Sequence, residues 1–364
     1  MSSFGVRPFP AVGSLPPPRV ARSDAPRRIV RAWLWFVAFL VLAMAVVGAA
    51  TRLTGSGLSI TEWQPIVGAI PPLTAADWQA AFDKYRQIPQ YQQINKGMSL
   101  DAFKFIFWWE WGHRFLGRLI GIAFFVPFAV FLLRGWIPSR LKLPLTGLFL
   151  LGGLQGFVGW YMVQSGLVER TSVSQYRLAM HLTLAAIIFA GLVAVALRMG
   201  PNDKQRIRLQ TLHPGALRTA RLLIALILTQ IALGALVAGM KAGLSHNTWP
   251  LMDGHLIPSG LFAMQPWWIN LCENALTVQF DHRVLAYLIT IVAFWHAVRT
   301  IRATDDERVE WTAGLLAAAI VAQIALGVWT LLAYVPLWLG LAHQAVAFVV
   351  LAIAVWHVYA IRSS

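Results

Sequence analysis

The sequence predicts an all-α, polytopic membrane protein of eight transmembrane helices, arranged as two pseudo-symmetric four-helix bundles. Three observations lead there. The chain of 364 residues is 58% hydrophobic and only 12% charged, whereas soluble domains carry about 25% charged residues. Eight apolar runs are each long enough to cross a bilayer core, which takes about 20 residues. The runs also fall into two sets of four whose motifs match in order. A water-facing globule and a disordered chain are both excluded, since disorder needs low hydrophobicity.

Taken in order, residues 1–31 form a tail rich in Pro, Ser and Arg. Spans are expected at about 32–53, 110–133, 144–164 and 176–197, then at about 219–240, 277–299, 311–333 and 337–360. No small-residue cleavage site follows the first run, so it reads as a retained helix rather than a leader. The runs lack the alternation of barrel strands. The first bundle covers 32–197 and the second 219–364, with a basic linker at 198–218 broken by Pro201 and His213-Pro214. Long connections are expected after the first and fifth spans, at about 54–109 and 241–276.

The net charge of +15 would suggest nucleic acid on a soluble chain. Here nineteen of the thirty Lys and Arg fall on the two termini and the even-numbered connections, and eight on the opposite side. Positive-inside bias then puts both termini in the cytoplasm of an inner-membrane protein, and the charge reports topology, not a nucleic-acid partner. The single cysteine, Cys272, excludes an intrachain disulfide and any CxxC motif.

Each half has a long loop after its first helix, TRLTGSGLSITEWQPIVGAIPP in one and AGMKAGLSHNTWPLMDGHLIPSG in the other. WWEWGHRFLGR pairs with TVQFDHRVLAY, LQGFVGWYMVQSGL with AQIALGVWTLLAYV, and AMHLTLAAIIFAGLVA with LAHQAVAFVVLAIAV. Four helices per half preserve direction, so the repeats are parallel, about an axis along the membrane normal.

Four of the nine histidines take matching places, His113 and His181 in the first half and His282 and His343 in the second. All four spans run from outside to inside, so the histidines share a depth near the outer leaflet. A bundle core is where cofactors are built. Two imidazoles facing across about 4 Å suit the axial positions of a haem iron. Zinc would need further ligands that no Cys or carboxylate cluster supplies. His113 and His282 are each followed by arginine, and Arg114, Arg118 and Arg283 are placed to pair with haem propionates. Glu110 stands one turn outside His113 on the same helical face. The second half has Val278 or Gln279 near that place, and Asp281 directly before its histidine. An acid aimed into one pocket only suggests that one pocket reacts and the other serves it.

His296 and His357 each follow a pocket histidine by fourteen residues. That spacing returns to the same face about 21 Å deeper, the pattern of a two-haem electron wire. The first half has Pro127 and Val195 there, so interface histidines are the preferred reading. His246 and His255 with Asp253 could form a loop metal site, although solvated loop residues explain them more simply. Most of the seventeen tryptophans fit an interfacial belt.

TRLTGSGLSITEWQPIVGAIPP, FKFIFWWEWGHRFLGR, FDHRVLAY and LAHQ resemble the haem A synthase family, from about Ala32 to the last helix. The absence of outer-loop cysteine pairs resembles its proteobacterial and mitochondrial branch. The resemblance implies oxidation of the C8 methyl of haem O through two hydroxylations, and loss of water from the gem-diol to give the formyl group of haem A for cytochrome oxidase. It also implies haem b as cofactor on the iron ligands His282 and His343, and substrate haem on His113 and His181, with Glu110 the catalytic acidic residue. Haem O synthase, an electron-transfer partner, membrane lipid and a second copy of the chain are the partners this reading admits. The alternatives are a membrane cytochrome b electron-transfer subunit and a non-enzymatic haem carrier.

Overall fold

The computed structural model describes residues 25–64, 66–168, 170–200 and 214–363. Most of the expected tail, and the middle of the expected linker, lie outside the described residues. Among the described residues there is no strand, only an isolated bridge between Met252 and His255. Helix α1 spans Ala25–Leu53, and α2 (Ala75–Tyr85) and α3 (Pro89–Gln93) stand in the first long connection. Then come α4 (Leu100–Leu133), α5 (Ser139–Gln164), α6 (Gln175–Arg198) and α7 (Pro214–Gly239). The short α8 (Asn270–Glu273) precedes α9 (Ala275–Arg302), α10 (Glu307–Leu332) and α11 (Leu337–Ser363). Among the described residues, eight of these are long and apolar enough to cross a membrane, and they are the eight expected runs.

Helix α1 packs on α4, α6 and α11, while α6 packs on α5 and α7. In the second half α7 packs on α9 and α11, and α10 on both of these. One apolar core joins all of these helices, with Leu34, Leu145, Leu192, Leu223, Phe348 and Leu351 fully buried in it. Polar ties also cross between halves. Arg52 donates to the Ala238 and Gly239 carbonyls at 3.2 and 2.9 Å, and Gln344 to the Ala45 carbonyl at 2.6 Å. Inside α4, Pro127 cannot donate to the Ala123 carbonyl, which would be costly in lipid. The Trp33 indole N–H of α1 takes that place at 2.8 Å.

The main departure from expectation is the outer end of α4, which begins ten residues before the expected span. Ser99 caps it through the Ala102 amide at 3.2 Å. Its added turns carry Phe103, Ile106 and Phe107, buried against Leu58, Phe82, Tyr85 and Tyr91 of the connection. An aromatic cluster outside the membrane thus extends the helix that carries His113. Helix α2 starts at a capping box, Thr74 accepting from the Asp77 amide and Asp77 from the Thr74 amide.

Candidate functional site

The four matched histidines stand on α4, α6, α9 and α11. His181, His282 and His343 are the seventh, eighth and seventh residues of their helices; His113 is the fourteenth of α4 because that helix is extended outward. His113 lies within electrostatic reach of His181, and His282 of His343. The structure therefore brings together the two pairs that the sequence singled out.

A second repeat, missed in the sequence, surrounds them. Gln155 and Gly159 on α5 meet His181, Gln230 and Gly234 on α7 meet His282, and Gln323 and Gly327 on α10 meet His343. In each case the glutamine Nε2 lies 3.1–3.2 Å from the ring Nδ1 and donates to the histidine's own carbonyl at 2.9–3.0 Å. The glycine four residues on makes room for the ring. A Cβ at Gly159, Gly234 or Gly327 would stand 3.0, 3.2 or 2.7 Å from the ring Cε1. Gln-x-x-x-Gly three times in one chain is legible once the partner histidines are known.

These surroundings fit an axially ligated haem on two counts. An imidazole that binds metal is held in orientation by the polar groups around its ring, here the glutamine Nε2. Gln155, Gln230 and Gln323 each keep a buried Oε1 with no hydrogen-bond partner. Arg283 is the second case. Its Nη2 reaches the His246 carbonyl at 2.9 Å and Gln279 Oε1 at 2.6 Å, while its buried Nε and Nη1 have no partner. Two unpaired guanidinium donors beside His282 match what a propionate would accept.

Glu110 is 2% exposed and fully engaged. Oε1 accepts from Arg114 Nη2 and Nε at 2.6 and 3.1 Å, and Oε2 from Ser59 Oγ and the Ile60 amide at 2.8 and 2.9 Å. Four donors on two oxygens is the pattern of a carboxylate anion. The TRLTGSGLSI segment delivers two of them, which explains why that loop and the acid belong together. Arg114 also donates to the Ile60 and Glu62 carbonyls, at 2.8 and 3.0 Å. The second half fixes the register left open between Val278 and Gln279. Gln279, buried and four residues before Arg283, takes the place of Glu110 and donates to the Ala242 carbonyl at 2.7 Å. Arg118 reaches the Gln64 carbonyl at 3.0 Å and so holds the outer loop; Tyr287 stands in its place in the second half.

The remaining candidates separate from the site. His296 and His357 are buried together deeper in the second half, Nε2 to Nε2 at 2.8 Å. His246 Nδ1 pairs with Asp253 at 2.5 Å, and His255 is exposed. Among the described residues no three His, Cys, Asp or Glu are grouped to hold a metal ion.

Comparison with known proteins gives one consistent picture. Residues 31–355 match a family model described as cytochrome oxidase assembly protein. A curated relative from Azorhizobium caulinodans, named Heme A synthase, is 57% identical over 345 residues, covering 93% of this chain and 95% of that relative. Relatives of the same name from Parvibaculum lavamentivorans and Agrobacterium fabrum are 54% and 53% identical, over 93% and 92% of this chain and 96% and 91% of their own lengths.

Proposed function

Since the chain belongs to the haem A synthase family of cytochrome oxidase assembly proteins, we propose that it oxidises the C8 methyl of haem O to a formyl group by two successive hydroxylations. In this reading the chain is two matched bundles, 32–197 and 219–364, joined by the linker 198–218. The first holds the substrate haem between His113 and His181. The second holds a resident haem b between His282 and His343.

The observation that supports this division is the exchange of Glu110 for Gln279 in otherwise matching surroundings. Each is buried, each lies four residues before an arginine, and each meets the loop after the first helix of its half. Only one of them is an acid. The half read as reacting carries a buried acid at this position, where the other carries an amide.

A haem b supplies the one-electron redox chemistry that side chains cannot. The chain's own residues do the rest. Glu110, held by four donors, is preorganised to stabilise positive charge developing at the methyl carbon. Saturated in this way, it is better suited to electrostatic stabilisation than to carrying protons. Arg114 orients Glu110 and, with Arg118, stands on the rim where the substrate propionates belong. Arg283 holds the propionates of haem b through its two unpaired nitrogens. Gln155, Gln230 and Gln323 orient His181, His282 and His343. The protein is a multi-pass membrane protein, which we place in the inner membrane with both termini in the cytoplasm. There it would take haem O from its synthase, exchange electrons with a redox partner and pass haem A to cytochrome oxidase.

The test is Glu110→Gln, expressed beside a haem O source, with haem extracted from the membranes and separated by HPLC. The expected result is accumulated haem O with little haem A. A normal haem A yield would sink the role of Glu110, and absence of haem A from the unaltered chain would sink the reaction.

A further inference from the structure

Three of the four pocket histidines are gripped by a glutamine, and the fourth is not. The position on α1 that corresponds to Gln155, Gln230 and Gln323 lies four residues before Gly48, the glycine that faces His113. It is Met44. The Met44 methyl reaches α4 one turn past His113, where a Cβ on Gly117 would stand 3.3 Å from Met44 Cε. Met44 thus holds on α1 the sequence position that the glutamines hold on α5, α7 and α10, with its methyl against α4.

The consequence shows in the ring. Among the described residues His113 makes no side-chain hydrogen bond, whereas the other three each meet an amide. Its orientation differs too. A Cβ at Gly48 would meet His113 Nε2 at 3.1 Å and Cδ2 at 3.4 Å, while the other glycines face Cε1 first and Nδ1 second. A thioether sulfur is at best a weak acceptor and no donor, on a flexible side chain. It offers the ring no polar contact that would hold it in one rotamer.

We propose that Met44 makes His113 the yielding axial ligand of the first half, so that the haem bound there can be released while the haem of the second half is retained. The inference rests on the haem-binding reading above and adds to it a positioning residue that sets residence time. An axial imidazole held by a polar neighbour is fixed in orientation; losing such a neighbour typically weakens metal affinity about 10–100-fold. A substrate that must leave as product needs one weak attachment. His181, gripped by Gln155, keeps the haem positioned, and His113 lets it go.

The experiment uses the full-length chain in detergent, loaded with hemin as the probe and mixed with excess apomyoglobin, with haem transfer followed in the Soret band. The expected result is one fast and one slow phase for the unaltered chain. Met44→Gln should slow the fast phase about 10–100-fold. Met44→Leu, of similar volume and equally unable to grip, should leave the fast phase unchanged. The reciprocal Gln230→Met should convert the slow phase into a fast one. A fast phase unaltered in Met44→Gln overturns the inference alone. A single haem per chain in the unaltered protein overturns it together with the substrate-haem reading of the first half.

Discussion

His296 and His357 share a direct hydrogen bond, Nε2 to Nε2 at 2.8 Å, between α9 and α11. Thr312 Oγ1 continues the chain to His357 Nδ1, also at 2.8 Å. Axial imidazoles on a haem iron stand about 4 Å apart, so this spacing leaves no room for iron between the two rings. The pair forms a buried polar network that ties α9, α10 and α11 together.

Replacing His296 by Leu therefore separates an enzyme from an electron wire. Haem content per chain, counted as the pyridine haemochrome, should not change. A lost haem equivalent would favour the cytochrome b alternative. The cost should appear in stability, because His357 Nε2 is left buried without a partner, at about 1–3 kcal/mol. A lower midpoint of thermal inactivation checks it.

The two pocket pairs should respond differently to truncation. His282→Ala is expected to lose the haem that copurifies with the protein. His113→Ala should keep that haem and lose haem A production. Absorbance spectra of the purified variants, with HPLC of extracted haem, decide between the pairs.

Gln323→Leu removes the amide beside His343 and leaves the iron ligand itself in place. Retention of haem in the second half should weaken about 10–100-fold, read as the half-time of haem loss to apomyoglobin. An unchanged half-time would mean that the glutamine only fills space.

Ser59→Ala tests how the first loop serves Glu110. It removes the donor at 2.8 Å from a buried carboxylate, and a hydrogen bond to a charged group contributes about 1.5–3 kcal/mol. The variant should lower haem A yield without lowering haem binding. The matching change in the second half, Ser245→Ala, should leave the yield unaltered, since Gln279 bonds the Ala242 carbonyl instead.

Cys272 offers a check outside the spans. Burial, followed by the nearby charges of Glu273 and Asp281, raises its thiol pKa. A raised pKa means less thiolate at neutral pH, so alkylation by iodoacetamide should be slow and its rate should climb at higher pH than for a free cysteine. Glu273→Gln removes one of those negative charges and should move the climb back toward neutral pH.

The spans were legible because lipid leaves the backbone few choices, and a run of apolar residues long enough to cross must be helical. The histidine pairs were legible because a repeat displays the same uncommon residue at the same place twice. The outer end of α4 was not. Asp101 and Lys104 read as loop, yet Phe103 between them and Phe107 one turn on are buried against α2 and α3. The partners of that face lie 12 or more residues away in sequence, beyond what local periodicity reports. The glutamines escaped for a different reason. A lone amide inside a span looks like a helix-packing residue, and its meaning depends on a histidine contributed by another helix. Whether Val278 or Gln279 answers Glu110 needed the Arg283 and Ala242 contacts to decide.

His181, His282 and His343 lie within the first eight residues of their helices, and His296 and His357 are buried together further along α9 and α11. Haems seated in the two pockets would exchange electrons sideways, parallel to the membrane plane. A charge that crosses the membrane does about 2.3 kcal/mol of work per 100 mV; one that moves within the plane does none. On the proposed haem placement, an electron step between the two halves would be electrically silent, and its rate would not respond to energising the membrane.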